Sequence, residues 1–265
     1  MPITEYHAKY FAHELSKRGS PTSIEKLAGT LMDARVDLNP HQVEAALFAF
    51  KSPLSNGAIL ADEVGLGKTI EVGLVLSQKW AEGKKRMLIV VPASLRKQWS
   101  QELAEKFFLP SQILEAKSFN AAIKAGNLNP FEANEILICS YPFAARHAGK
   151  LILVRRDLVV LDEAHRLRNV YKTQNKTARA LRTALTNVPK VLLTATPLQN
   201  NLMELYGLVS FIDEYAFGDE KSFRSQYSRM TSPEQFGELK GRLSNRSCKR
   251  TQLNNMCSCI RWSLI

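Results

Sequence analysis

Gly65-Leu66-Gly67-Lys68-Thr69 sets two glycines, an ammonium and a hydroxyl within five successive positions. Glycine lets backbone N–H groups turn toward an anion, and a helix starting at Lys68-Thr69 adds the partial positive charge of its N-terminus. That combination suits a nucleoside triphosphate: Lys68 would reach the β- and γ-phosphates, and the Thr69 hydroxyl a Mg2+ ion. The general pattern G-x-x-x-x-G-K-[ST] asks for glycine where Asp62 stands, so the loop alone is an imperfect match. Its plain alternative is a glycine-rich strand-to-helix turn followed by a surface lysine.

Asp162-Glu163-Ala164-His165 supplies the second chemical group. Adjacent carboxylates at the end of an apolar run are costly without a positive partner, and Mg2+ would be that partner. Asp162 would hold the metal through water, and Glu163 would orient or deprotonate an attacking water. The alternative is an acidic pair placed at a helix N-terminus by the dipole; the upstream phosphate loop decides for the metal role. Thr194-Ala195-Thr196-Pro197 brings two hydroxyls beside a proline-fixed turn, suited to bonding the acidic pair or His165 and to moving with nucleotide state. A capped helix beginning near Asn200 is compatible with that role. Gln42 lies in a helix opened by Leu38-Asn39-Pro40, and its amide carries the donor and acceptor that an adenine edge requires. Taken alone, Gln42 reads as an ordinary surface residue.

These groups act together only if the chain delivers them to one edge. Apolar runs of strand length at 58–61, 87–91, 136–140, 158–161 and 191–194 alternate with helical patterns at 68–82, 95–107, 119–125, 143–150 and 174–186. Continuous apolar strands, each followed by a helix, indicate a mainly parallel sheet with helices on both faces. In such a doubly wound α/β domain ligands bind outside the carboxyl ends of the strands, where all the candidate residues fall. Two short amphipathic helices, 5–18 and 23–33, form a lead-in packed on this domain.

Of the 265 residues, 45% are hydrophobic and 23% charged, which is ordinary for a globular chain with a sizeable core. The net charge of +11 and pI near 9.6 favour a polyanionic partner such as nucleic acid. The first residues carry no apolar signal region, and no run approaches the length of a membrane span, so a cytoplasmic location without membrane is expected. Cys139 sits in an apolar run, while Cys248, Cys257 and Cys259 lack C-x-x-C spacing, which excludes a zinc reading and fits a reducing compartment.

In order and wording, the phosphate loop, D-E-A-H, T-A-T-P-L-Q-N and the P-H-Q opening resemble the first RecA-like lobe of helicase superfamily two. More narrowly they look like the SWI/SNF-type DNA translocases, RNA-polymerase-associated bacterial members among them. That family writes its loop D-E-x-G-L-G-K-T, so Asp62 is the family form. The resemblance covers about residues 38–230 and implies a RecA-like P-loop domain over 38–235, after a helical lead-in at 1–37. It implies ATP as nucleotide, held by Gln42, Gly65, Leu66, Gly67, Lys68 and Thr69. Mg2+ would sit on Thr69 and Asp162, catalysis on Lys68, Asp162 and Glu163, and coupling on His165, Thr194 and Thr196. It further implies double-stranded DNA as partner in a bacterial, nucleoid-associated setting, touched by Ser94 and Arg96 in one loop and by Ser140 and Tyr141 in another. Trp99 is read as core packing.

The family motor has a second RecA-like lobe that supplies arginine fingers, and this sequence shows no second phosphate-edge lobe. A second lobe, another copy or a nucleic-acid-bound complex is therefore expected to complete the site. Residues 236–265 form a basic stretch that loses periodicity and collects three of the four cysteines, the pattern expected of a truncated or frame-shifted reading of a longer gene. The leading function is an ATP-hydrolysing lobe that moves on duplex DNA. The competing reading is a non-catalytic remnant or adaptor, which has no physical need to keep Lys68, Asp162 and Glu163 together. A P-loop kinase is disfavoured because D-E-A-H and T-A-T-P supply no acceptor-substrate lid.

Overall fold

A computed structural model describes residues 39–51, 56–61, 67–196, 202–227, 239 and 247–248. The expected helices at 5–18 and 23–33 lie outside these residues, as do Asp62, Gly65 and Leu66. In chain order the elements are α1 (Pro40–Lys51), β1 (Gly57–Leu60), α2 (Lys68–Ala81), β2 (Met87–Val91), α3 (Arg96–Phe107), β3 (Ser111–Ile113) and α4 (Ala116–Lys124). Then follow β4 (Ile136–Ser140), α5 (Tyr141–Arg146), α6 (Ala148–Leu151), β5 (Leu158–Leu161), α7 (Lys176–Ala184), β6 (Lys190–Leu193), α8 (Leu202–Ile212), α9 (Glu220–Tyr227) and β7 (Ser247–Cys248).

The strands form one sheet in the order β3-β4-β2-β5-β6-β1-β7, and every described pairing is parallel. All five residues of β2 (Met87–Val91) are buried, as are all four of β5 (Leu158–Leu161), because helices cover both faces. Alternate side chains enter two cores. Leu88, Val90, Val159 and Leu161 pack with Tyr141 of α5, Leu181 of α7 and Leu208 of α8. Met87, Ile89, Leu158 and Val160 pack on the other face with Leu74 of α2 and Trp99, Leu103 and Phe107 of α3. The helices α2 and α3 approach so closely that a Cβ on Gly73 would lie 2.2 Å from the Phe107 ring. A larger residue there would push the helix carrying Lys68 off its neighbour.

Five of the seven strands coincide with the apolar runs expected from sequence, to within one residue at either end. Two differences have simple causes. Strand β3, Ser-Gln-Ile, is too short and polar to register as an apolar run, yet it adds to the edge of β4. The single helix expected over 143–150 is divided at His147, where φ −103° and ψ 21° interrupt the α-helical path. In the stretch expected to be irregular, Ser247–Cys248 runs parallel to β1. The helix expected to begin near Asn200 is described from Leu202.

Candidate active site

Helix α2 starts at Lys68, with Gly67 as the residue before it in the left-handed region at φ 85° and ψ 37°. The Gly67 carbonyl accepts from Ile70 N–H at 2.7 Å and from Glu71 N–H at 3.2 Å, which fixes the first turn. The first N–H groups of an α-helix have no intrahelical acceptor and suit an anion. Gln42 is 3% exposed, which corrects its reading as a surface residue. Its Oε1 accepts from Asn39 N–H at 3.1 Å, and its Nε2 lies 2.4 Å from where a Cβ on Gly67 would stand. The amide is thus folded in against the phosphate-loop end of α2.

Asp162 and Glu163 follow β5 directly. Asp162 N–H donates to Val90 O at 3.0 Å, so the end of β5 is tied to β2. The half-buried carboxylate accepts from Trp99 Nε1–H on Oδ2 at 2.8 Å and from Glu163 N–H on Oδ1 at 2.8 Å. Burial raises its pKa; the bonds from Trp99 and Glu163 N–H oppose that, the Glu163 charge adds to it, and the Lys68 ammonium opposes it. Lys68, after β1, and Asp162, after β5, therefore act on one another across the strand ends, although β6 intervenes between their strands.

Glu163 adopts φ 52° and ψ 46°, a left-handed conformation that costs a non-glycine residue roughly 1–2 kcal/mol. Its carboxylate lies 3.0 Å from His165 Nδ1, and both side chains remain partly exposed. The turn holds the two acids apart in role: Asp162 points into the protein's hydrogen-bond frame, and Glu163 stays accessible beside His165.

After β6, Thr194 N–H donates to Leu60 O at 3.1 Å, placing this loop beside the end of β1. Thr194 is 1% exposed, and its hydroxyl accepts from Thr196 N–H at 3.2 Å. Thr196 is joined to neither acid nor His165 in the described bonds. Its carbonyl and hydroxyl both accept from Arg168 Nη2. Arg168 in turn meets Glu204 of α8, Nη1 to Oε2 at 3.4 Å, and both side chains are buried. Burial lowers the Arg168 pKa, and the Glu204 carboxylate opposes that. The expected partner of the threonine loop is thus corrected: Arg168, six residues after the D-E-A-H aspartate, carries the link.

The two loops expected to face DNA differ from one another. Ser94 is exposed and Arg96 partly so, its guanidinium accounted for by the Ala93 carbonyl at 3.1 Å and Glu115 at 3.3 Å. Ser140 and Tyr141 are buried, and this corrects their side chains as DNA contacts. Ser140 Oγ accepts from Phe143 N–H at 3.4 Å to cap α5, and the Tyr141 hydroxyl donates to the Asp162 carbonyl at 2.7 Å. Sequence reading also missed Trp99 and Arg168 as site residues. A buried indole needs an acceptor, which is a signal for Trp99; nothing in the spacing singles out Arg168.

The donor set fits Mg2+ with a triphosphate. One carboxylate, one hydroxyl at Thr69 and one ammonium at Lys68 stand at a single strand-end edge, a sparse set that leaves most metal ligands to phosphate and water.

A family model described as the SNF2-related domain matches residues 16–263. The chain is 37% identical over 198 residues to the uncharacterized ATP-dependent helicase YqhH of Bacillus subtilis, covering 73% of this chain and 32% of that protein. It is 35% identical over 205 residues to the RNA polymerase-associated protein RapA of Pectobacterium carotovorum, covering 75% of this chain and 21% of the relative. The chain thus spans about a third or less of the length of these relatives. Among solved structures, the Sulfolobus solfataricus SWI2/SNF2 ATPase core in complex with dsDNA matches with a TM-score of 0.68 and 23% identity, over 83% of this chain and 46% of that one. The fold is therefore that of a RecA-like ATPase lobe.

Proposed function

This chain belongs to the SNF2-related domain family, and from that premise we propose that it is the ATP-binding lobe of a DNA-dependent ATPase that couples hydrolysis to movement on duplex DNA. The observation that carries the reading is the electrostatic pairing of Lys68, at the N-terminus of α2, with Asp162 at the end of β5, where Glu163 is the next residue. An adaptor has no use for that arrangement.

In this reading the N-terminal N–H groups of α2 and the Lys68 ammonium bind the β- and γ-phosphates. Thr69 and Asp162 hold Mg2+, which when bound neutralises phosphate charge. Glu163 orients the attacking water and takes its proton, a role that its partial exposure permits. Gln42 offers its amide to the adenine edge. His165, Thr194 and Thr196 couple that chemistry to movement, with Arg168 as the connection between the last of these and the acidic turn. Gly65 and Leu66 belong to the same cradle.

Charge and position support the nucleic-acid partner. The net charge of +11 suits a polyanion, and Ser94 and Arg96 stand on the exposed turn that follows β2. Contacts of this kind grip the DNA backbone without reading bases. Turnover is completed by an arginine from a second RecA-like lobe, another copy or a nucleic-acid-bound complex, a contribution worth about 10³–10⁵ in rate. Among the described residues no helix is long and apolar enough to cross a membrane, and a bacterial cytoplasmic, nucleoid-associated setting accords with the RNA polymerase-associated relatives.

The test is ATP hydrolysis with and without duplex DNA at low salt, beside direct nucleotide binding and the variants Lys68→Ala and Glu163→Gln. DNA-stimulated turnover lost in both variants supports the full reading. Binding without turnover restricts the chain to half of a motor, and no nucleotide binding at all overturns the proposal.

A further inference from the structure

Asp162 is gripped at its side chain and at its main chain by two buried aromatic residues. Trp99, 2% exposed, donates its indole N–H to Oδ2 at 2.8 Å. Tyr141, 3% exposed, donates its hydroxyl to the Asp162 carbonyl at 2.7 Å. The topology explains how both reach the same residue. Strand β2 pairs with β4 on one side and β5 on the other, so the helices that follow β2 and β4 start next to the end of β5. Trp99 is on the first turn of one, and Tyr141 is the first residue of the other.

A lone aspartate at a strand end is free to turn about its side-chain torsions. Here one N–H is directed at each carboxylate oxygen, Trp99 on Oδ2 and Glu163 on Oδ1, which defines the plane of the group. Each oxygen of an ionised carboxylate accepts more than one bond, so the two donors orient it without exhausting it. The Tyr141 hydroxyl fixes the carbonyl of the same residue, and with it the peptide that leads into the left-handed Glu163. The rings themselves belong to the two apolar cores, Tyr141 on one face of the sheet and Trp99 on the other.

We propose that Trp99 and Tyr141 are positioning residues that hold the Asp162 carboxylate and backbone ready for Mg2+ in the Mg–nucleotide complex, an inference that rests on the functional reading above. Outer groups that orient a metal-binding carboxylate typically change metal affinity by about 10- to 100-fold when removed. Their loss spares nucleotide affinity in the absence of metal.

The experiment uses the full chain with Tyr141→Phe, which removes only the hydroxyl and keeps the ring, and Trp99→Phe, which removes the indole N–H and replaces the bicycle with a smaller aromatic ring. Binding of a fluorescent ATP analogue is titrated with Mg2+ and compared with binding in EDTA. Both variants should need roughly tenfold more Mg2+ for half-maximal effect, with affinity in EDTA held close to wild type; the void left by Trp99→Phe lowers the thermal midpoint without bearing on that comparison. In parallel, the Trp99 indole N–H resonance of 15N-labelled protein, identified by its absence in Trp99→Phe, should move in Asp162→Asn. Wild-type Mg2+ dependence in both variants, or an indole resonance indifferent to Asp162→Asn, overturns the clamp and leaves the ATPase reading standing. A wild-type chain that takes no nucleotide with or without Mg2+ sinks that reading and the metal role of the clamp together.

Discussion

Arg168 and Thr196 lie 28 residues apart in sequence and are joined twice through one guanidinium nitrogen, which donates to the threonine carbonyl and to its hydroxyl. The other terminal nitrogen faces Glu204 at 3.4 Å, so a single buried side chain ties the turn after β5 to the loop after β6 and to α8. The contact is tight at the backbone as well. A Cβ on Gly207 would fall 1.7 Å from the Arg168 carbonyl, which leaves no room for any other residue at that position of α8.

Removing Arg168 is expected to be expensive. Arg168→Ala deletes a buried cation and leaves Glu204 with a missing partner, a change that typically costs about 3–5 kcal/mol. Arg168→Lys keeps the charge but cannot reproduce the planar fork, and should fall between alanine and wild type. Urea denaturation midpoints read the ordering directly. Equal stability of the alanine variant and wild type would remove Arg168 from the frame of the site.

Lys68 and Glu163 should separate binding from chemistry. Lys68→Ala withdraws a charged donor from the phosphates, worth about 1.5–3 kcal/mol, or roughly ten- to hundredfold in affinity. Glu163→Gln preserves shape and should leave nucleotide affinity near wild type while slowing hydrolysis by about 10²–10⁴. Equilibrium binding and single-turnover hydrolysis, measured on the same preparations, give both numbers. A Glu163→Gln variant that hydrolyses ATP at the wild-type rate removes Glu163 from the chemistry.

The strands were the most legible part of the chain. Met87–Val91, Ile136–Ser140 and Leu158–Leu161 are continuous apolar runs because a parallel strand covered on both faces has no polar side to show. The placement of Lys68 at the start of a helix and of Asp162 and Glu163 just after a strand was legible in the same pattern. Trp99 and Arg168 were not, because their partners depend on which strands become neighbours. Nothing in the spacing of Trp99 and Asp162, 63 residues apart, says that β2 lies beside β5. The same holds for Tyr141, which the family resemblance implied as a DNA contact and which the strand order turns inward onto Asp162.

The left-handed Glu163 offers a test of stored strain. Glu163→Ala keeps φ near 52° with a Cβ in place, whereas Glu163→Gly removes the steric cost. Both lose the carboxylate beside His165, so that contact cancels in the comparison. The glycine variant should therefore be about 1 kcal/mol more stable than the alanine variant, and both should be inactive in hydrolysis. Thermal midpoints compared at one pH decide it; an alanine variant as stable as the glycine variant means that the turn relaxes to negative φ once the glutamate is gone.

Lys190 opens β6 with its side chain buried at 2% residue exposure, and its ammonium donates to Val188 O at 2.9 Å. Burial lowers its pKa from 10.5 to about 8. The sign follows from proton counting: between about pH 8 and pH 10.5 the unfolded chain holds the proton and the folded chain has released it, so this group makes stability rise with pH across that window. Below about pH 8 both states are protonated, and the folded state bears the full cost of a buried charge. Lys190→Met keeps the aliphatic length and removes the charge. It should stabilise the fold by about 2–3 kcal/mol at pH 7, with the gain fading as the pH is raised toward 10.5. Urea unfolding of both proteins across that range tests the slope, and a methionine variant whose advantage is the same at pH 7 and pH 10 would show that packing, rather than the buried ammonium, is responsible.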